Sequence, residues 1–252
     1  MKQGIIRILF LNILLFSCQS SPSERLTIAT AANMQFAMEE ITRAFTEQTG
    51  IECETIVGSS GKLTAQIREG APFDVFVSAD MKYPAVLFED QLTAAAPEVY
   101  AYGQLVLWSL ADTLTPSVDQ LATEAIRHIA LANPQTAPYG AAAVEVLRHH
   151  RLYDRVVHKL VFGESIAQVN QFISSQAAEV GFTAQAVVMS PAMQGKGHWR
   201  AVDTASYTPI AQGVVILKNQ TAPPEQAQQF YDFLFSPSGK EILTTFGYAI
   251  PG

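Results

Sequence analysis

From Arg25 onward, short apolar runs alternate with stretches of helical period. "RLTIATAAN" predicts a strand that ends in small residues. "MQFAMEEITRAFTEQTG" follows, with Met34, Met38, Ile41 and Phe45 one helical turn apart and Gly50 as a stop. "IECETIV" predicts the next strand and "KLTAQIREG" the next helix. "FDVFVSAD" and "GQLVLWSL" predict two more strands. The second half repeats the logic. "RHIALANP", "HKLVFGE", "EVGFT" and "PIAQGVVILK" predict strands. "AAAVEVLRHH", "SIAQVNQFISSQ", "AQAVVMS", "PEQAQQFYDFLFS" and "SGKEILTTFG" predict helices. Strands alternating with helices at this spacing predict an α/β fold with mixed, mostly parallel sheets.

No long linker divides the chain, and no period of solenoid type repeats. Two extended stretches far apart in sequence, "AYGQLVLW" near Gly103 and "SYTPIAQGVV" near Gly213, predict crossings between two lobes. The first lobe then takes residues 26–103 and 213–252, and the second takes 104–212.

Composition narrows the class. The chain has 252 residues, 48% of them hydrophobic, enough for two modest cores. Its net charge of -7 argues against nucleic acid or an anionic membrane surface as partner. The first residues read differently. Lys2 and Arg7 precede an apolar stretch, Ile8 to Phe16, broken only by Asn12. That predicts a secretory signal over residues 1–17, too short to span a bilayer. "LFSC" resembles the processing site of bacterial lipoproteins, which makes Cys18 the lipid-bearing residue and 18–25 a tether. Removing 1–17 takes away Lys2 and Arg7 and no acid, so the charge moves by two, from -7 to -9. The remaining cysteine, Cys53, sits in a strand and reads as a small core residue.

Catalytic patterns are missing. There is no G-x-G-x-x-G, no Walker loop, no H-E-x-x-H and no G-x-S-x-G elbow. Three of the five histidines lie in the polar "RHHRLYDRVVHK", without the spaced carboxylates or thiols of a zinc site. Asp74 and Asp80 read as turn or cap residues.

What recurs is a small or hydroxyl residue where a strand passes into a helix. Asn33 follows "ATAA". Ser59 and Ser60 stand between glycines in "IVGSSGKLTAQI". Tyr139 opens a helix in "APYGAAA", and Ile166 follows Ser165 after "FGE". Helix amino ends carry unpaired N–H groups and about half a positive charge. In an open α/β sheet they gather at the carboxyl edge, where ligands bind. Several aimed at one point hold an anion without any lysine. Ordinary N-capping gives the same residues. At the second junction one cap needs one hydroxyl, and two are present.

The order "ATAAN…GSSGKLTAQIREGAPFDVFVSAD…NPQTAPYG…FGESIAQV…VGF" resembles the molybdate-binding periplasmic proteins of ABC transporters, over almost the whole mature chain. The resemblance implies a type II periplasmic-binding-protein fold, two lobes joined by two crossing strands. It implies a monomer, with no cofactor, that captures molybdate or tungstate in the cleft and delivers it to a membrane permease. The site it implies is the Asn33 side chain, the Ser60 hydroxyl with Ser59 beside it, and backbone N–H groups at Tyr139 and Ile166. Some relatives add a tyrosine hydroxyl just after the "VGF" strand; here that residue is Ala184. Two other readings stay open: the same scaffold for sulfate or phosphate, and a secreted hydrolase using Ser60.

Overall fold

The computed structural model describes residues 25–218 and 221–252. The proposed signal and the proposed lipidation site at Cys18 lie outside them. The first five strands are β1 (Leu26–Ala31), β2 (Cys53–Gly58), β3 (Val75–Val77), β4 (Glu98–Gly103) and β5 (Leu105–Ser109). Between them run α1 (Gln35–Thr49), α2 (Ser60–Arg68) and α3 (Lys82–Glu89). Strands β6 (Ile129–Ala132), β7 (Leu160–Gly163), β8 (Val180–Ala184), β9 (His198–Ala201) and β10 (Ile210–Ile216) follow. They alternate with α4 (Pro138–His149), α5 (Tyr153–Val156), α6 (Ile166–Ser174) and α7 (Gln185–Val188), and the chain closes with α8 (Pro224–Phe235) and α9 (Pro237–Thr245).

The strands form two five-stranded sheets, ordered β2-β1-β3-β10-β4 and β7-β6-β8-β5-β9. In the first, β1 pairs parallel with β2 and β3, while β10 runs antiparallel to β3 and β4. In the second, β6 pairs parallel with β7 and β8, while β5 runs antiparallel to β8 and β9. Each sheet therefore has one reversed strand, and it is the strand that arrives from the other sheet. β4 leaves the first sheet at its carboxyl edge and turns at once into β5, which can only enter the second sheet backwards. β10 makes the return journey after β9. The carboxyl edges of the two sheets thus face each other, and the helices that follow β1, β2, β6 and β7 all open into the gap.

Both sheets are covered by apolar helix faces. Met38, Ile41 and Phe45 of α1 are buried, as the helical spacing predicts. The Phe45 ring meets Phe230 and Phe233 of α8 edge-on, at 5.3 and 5.6 Å between centroids. The opposite face of the first sheet packs Leu63, Ile67, Phe76 and Leu87. Trp108, Leu131, Leu147 and Phe182 lie in the core of the second sheet, and that core extends to Ala31, Ala32 and Ala79 across the gap.

Two aspartates fasten the first lobe. Buried Asp74 accepts the backbone N–H groups of Thr27, Thr221 and Ala222 at 2.6–2.9 Å. Asp80 accepts from Tyr83 N–H at 3.2 Å in the first turn of α3, and its burial pushes its carboxyl up. Cys53 is half-buried and free, and burial pushes its thiol up to about 12.

Four elements escape the sequence pattern, and one of them, α5, is a single turn inside the polar "RHHRLYDRVVHK". α3 carries Pro84 in its first turn, where a helix tolerates a missing N–H. β9 is exposed along its length, so it shows no apolar alternation. β4 and β5 are separated by Gln104 alone and read as one extended stretch.

Candidate functional site: a neutral cage between the sheets

Four chain turns meet in the gap. After β1 the chain forms a 3-10 turn, Ala32–Met34, that places Asn33 in the interior at 2% exposure. After β2, Ser59 stands in extended backbone before α2, and Ser60 is its first helical residue. Pro138 opens α4, where its missing N–H costs nothing, and Tyr139 is next. Ser165 precedes α6, and Ile166 begins it.

Asn33, Ser59, Ser60, Tyr139 and Ile166 come together around one cavity of about 10 Å³, on a scale where one water needs about 10–15 Å³. Ala31, Ala32, Ala79, Ala137 and Pro138 complete its wall. No lysine, arginine, histidine or carboxylate lines it. Ala184 is fully buried at the start of α7 and is not among the lining residues.

The hydroxyls are not spent on capping. Ser60 Oγ accepts a hydrogen bond from Ala79 N–H at 3.0 Å, which leaves its own proton free to donate. Ser59 caps no N–H of α2, and its buried Oγ has no partner among the described residues. Helix geometry also leaves the N–H groups of Ser60, Tyr139 and Ile166 without intrahelical acceptors. The hydroxyls of Ser59 and Ser60 and the N–H groups of Ser60, Tyr139 and Ile166 are all able to donate. Such a cage suits a compact anion that carries no proton of its own. With no base at hand, Ser60 is not an activated nucleophile.

Asn33 is used differently from the sequence expectation of a side-chain ligand. Its Nδ2 donates to Gln212 Oε1 at 2.8 Å and to Tyr248 Oη at 3.0 Å. Tyr248 Oη in turn donates to the Asn33 carbonyl at 3.1 Å. Both amide hydrogens are thus committed, and the donor left to Asn33 is its backbone N–H. Gln212 also accepts from Tyr100 Oη at 3.0 Å and donates to Tyr139 Oη at 3.5 Å. Burial pushes the phenols of Tyr100, Tyr139 and Tyr248 up, so this floor stays uncharged. Gln212, Tyr100 and Tyr248 were missed by motif reasoning. The one signal in the sequence is Gln212 itself, a polar residue inside the apolar run "PIAQGVVILK".

At the rim the sheets' helices touch. Gly61 N–H donates to the Thr136 carbonyl at 2.9 Å, and Tyr83 Oη to the Gln135 carbonyl at 3.0 Å. Lys62 Nζ and Glu164 Oε1 pair at 2.5 Å with both side chains half exposed. The structure pairs them with each other at the surface.

The family profile described as bacterial extracellular solute-binding protein matches residues 26–249. The chain belongs to that family. Its members bind solutes rather than transform them. The molybdate-binding protein ModA of Azotobacter vinelandii is 37% identical over 238 residues, 94% of each chain. The molybdate-binding protein ModA of Rhodobacter capsulatus is 38% identical over 87% of this chain and 86% of its own. In structure, the periplasmic molybdate-binding protein of A. vinelandii superposes with a TM-score of 0.86 at 35% identity, over 90% of this chain and all of that one. The two-lobed fold of the solute-binding family is therefore the fold of this chain.

Among the described residues no group of three or more histidine, cysteine or carboxylate side chains could hold a metal ion.

Proposed function

We propose that this chain captures molybdate or tungstate as the bare dianion and hands it to the membrane permease of an ABC transporter. One observation carries the reading: five residues at four turn ends surround one small cavity with donors and no charged side chain. The relatives named as molybdate-binding supply the choice of anion. In this reading Ser60 Oγ, Ser59 Oγ and the N–H groups of Asn33, Tyr139 and Ile166 bind the oxygens. Four helix amino ends supply the compensating field. The lobes, residues 26–103 with 213–252 and residues 104–212, close on the ligand as a monomer. Cys18 carries the lipid that keeps the protein at the outer face of the membrane.

Isothermal titration of the mature protein with molybdate, tungstate, sulfate and phosphate tests the reading. Heats at micromolar molybdate and tungstate, with none from millimolar phosphate, are expected. Tight phosphate binding would mean that an acceptor faces the anion and the donor-only cage is wrong. Anchoring is tested apart: Cys18→Ser should move the protein from the membrane fraction to the soluble one, and a soluble wild type overturns that part alone.

A further inference from the structure

Gly103 ends β4 at the first crossing. Its backbone lies outside the left-handed region, so conformation alone does not require glycine there. Space does. A Cβ at this position would lie 2.0 Å from Tyr139 Oη, 3.0 Å from Tyr139 Cζ and 2.6 Å from Gln212 Nε2. The phenol of Tyr139 occupies the room a side chain would need.

Tyr139 belongs to α4, which packs on the second sheet, and its ring reaches to the crossing strands. Its backbone, at the second residue of α4, borders the cavity. Gln212 lies on β10, the other crossing strand. Its carboxamide takes Asn33 Nδ2 from the first lobe with one end and reaches Tyr139 Oη with the other. Asn33, Gln212 and Tyr139 thus form a chain of contacts from one lobe's share of the cavity to the other's. It passes through the strands on which the lobes would turn.

We infer that Gly103 and Gln212 form a seat for the Tyr139 phenol, and that this seat sets where the amino end of α4 stands against the ligand. Neither residue lines the cavity. Both are positioning residues for oxyanion affinity. When the phenol is seated, the Tyr139 N–H faces the anion at the distance its partners across the gap require. When it is displaced, the second lobe cannot bring that donor home. The inference rests on the oxyanion reading of the cavity.

The test is molybdate titration of wild type, Gly103→Ala, Tyr139→Phe and the double variant, with small-angle scattering of each with and without molybdate. Gly103→Ala should weaken binding about 10- to 100-fold and reduce the ligand-driven compaction. Tyr139→Phe keeps the backbone donor and removes the atom 2.0 Å from the added methyl. In that background Gly103→Ala should cost at least about fivefold less than it does in wild type, as coupled neighbours do. Equal losses in both backgrounds, or no loss in either, overturn the seat. If Gly103→Ala does not fold by circular dichroism, Gln212→Leu takes its place. It should weaken binding and act non-additively with Tyr139→Phe, and strict additivity overturns the proposal. A wild type that binds no oxyanion refutes the reading of the cavity. A wild type that binds, with variants indistinguishable from it, refutes only the seat.

Discussion

Ser59 and Ser236 hold the same position, the residue before a helix, in similar extended backbone. Ser236 Oγ accepts from Gly239 N–H at 3.1 Å and closes the first turn of α9. Ser59 Oγ does not cap α2, and it is buried without a partner among the described residues. Leaving a buried hydroxyl unpaired costs about 1–3 kcal/mol, which a plain capping serine does not incur. Two serines at the same N-cap position therefore do opposite things. One completes its helix; the other, with Ser60 next to it, leaves the helix end open toward the cavity. An N-cap residue in sequence is only a candidate. An unspent hydroxyl on the cavity wall is what sets Ser59 apart from a plain cap.

The comparison can be broken by substitution. Ser60→Ala removes a charge-assisted donor worth about 1.5–3 kcal/mol and should weaken molybdate binding 10- to 100-fold with the fold intact. Titration calorimetry reads this, and an unchanged dissociation constant would remove Ser60 from the site. Ser236→Ala should do the reverse. It should cost about 0.5–2 kcal/mol of stability, seen as a lower melting temperature, and leave affinity alone. A loss of affinity there would show that capping and binding are not separable in this molecule.

The floor beneath Asn33 offers a pH test. Burial raises the phenols of Tyr100, Tyr139 and Tyr248 above their ordinary value. Below about pH 10 folded and unfolded states both keep these protons, so stability is unaffected. Above it only the unfolded chain ionises, and stability should fall as pH rises. Denaturant melts from pH 8 to 11 would show the decline, and a flat profile would mean that the phenols ionise in place. Affinity between pH 6.5 and 8.5 should stay nearly level, because no histidine, lysine or carboxylate lines the cavity and burial holds the Tyr139 phenol above its ordinary value. The smallest effect belongs to the rim. Lys62→Ala breaks an exposed pair worth about 0–1 kcal/mol and should speed molybdate release no more than about fivefold, less at high salt.

The fold was largely legible because its helices carry one apolar stripe each. Met38, Ile41 and Phe45 are as buried as their spacing predicts. The positions of Asn33, Ser60, Tyr139 and Ile166 were legible as junctions, since a strand–helix turn at a carboxyl edge has a direction in space. Their duties were not. That Asn33 spends its side chain on Gln212 and Tyr248 depends on residues 179 and 215 places away, and no local pattern encodes such a pairing. The seat at Gly103 was equally hidden. As a glycine in an extended stretch it reads as a flexible point, while the structure fills its missing side chain with a phenol.

The reversed strands have a consequence for how the molecule comes apart. Advancing the first sheet's order by five gives the second, except that β5 and β10 have changed places. Each half of the chain has lent its fifth strand to the other, a reciprocal exchange of the kind that links swapped dimers, here made within one polypeptide. The borrowed strand is internal in both sheets: β10 alone connects β4 to β3, and β5 alone connects β9 to β8. A fragment cut after Gly103 would keep β4 but lose β10, the strand it pairs with, and the Tyr102–Ala249 bridge beside it. The halves are therefore obliged to form together, and a lobe lost to heat takes a strand of its neighbour with it.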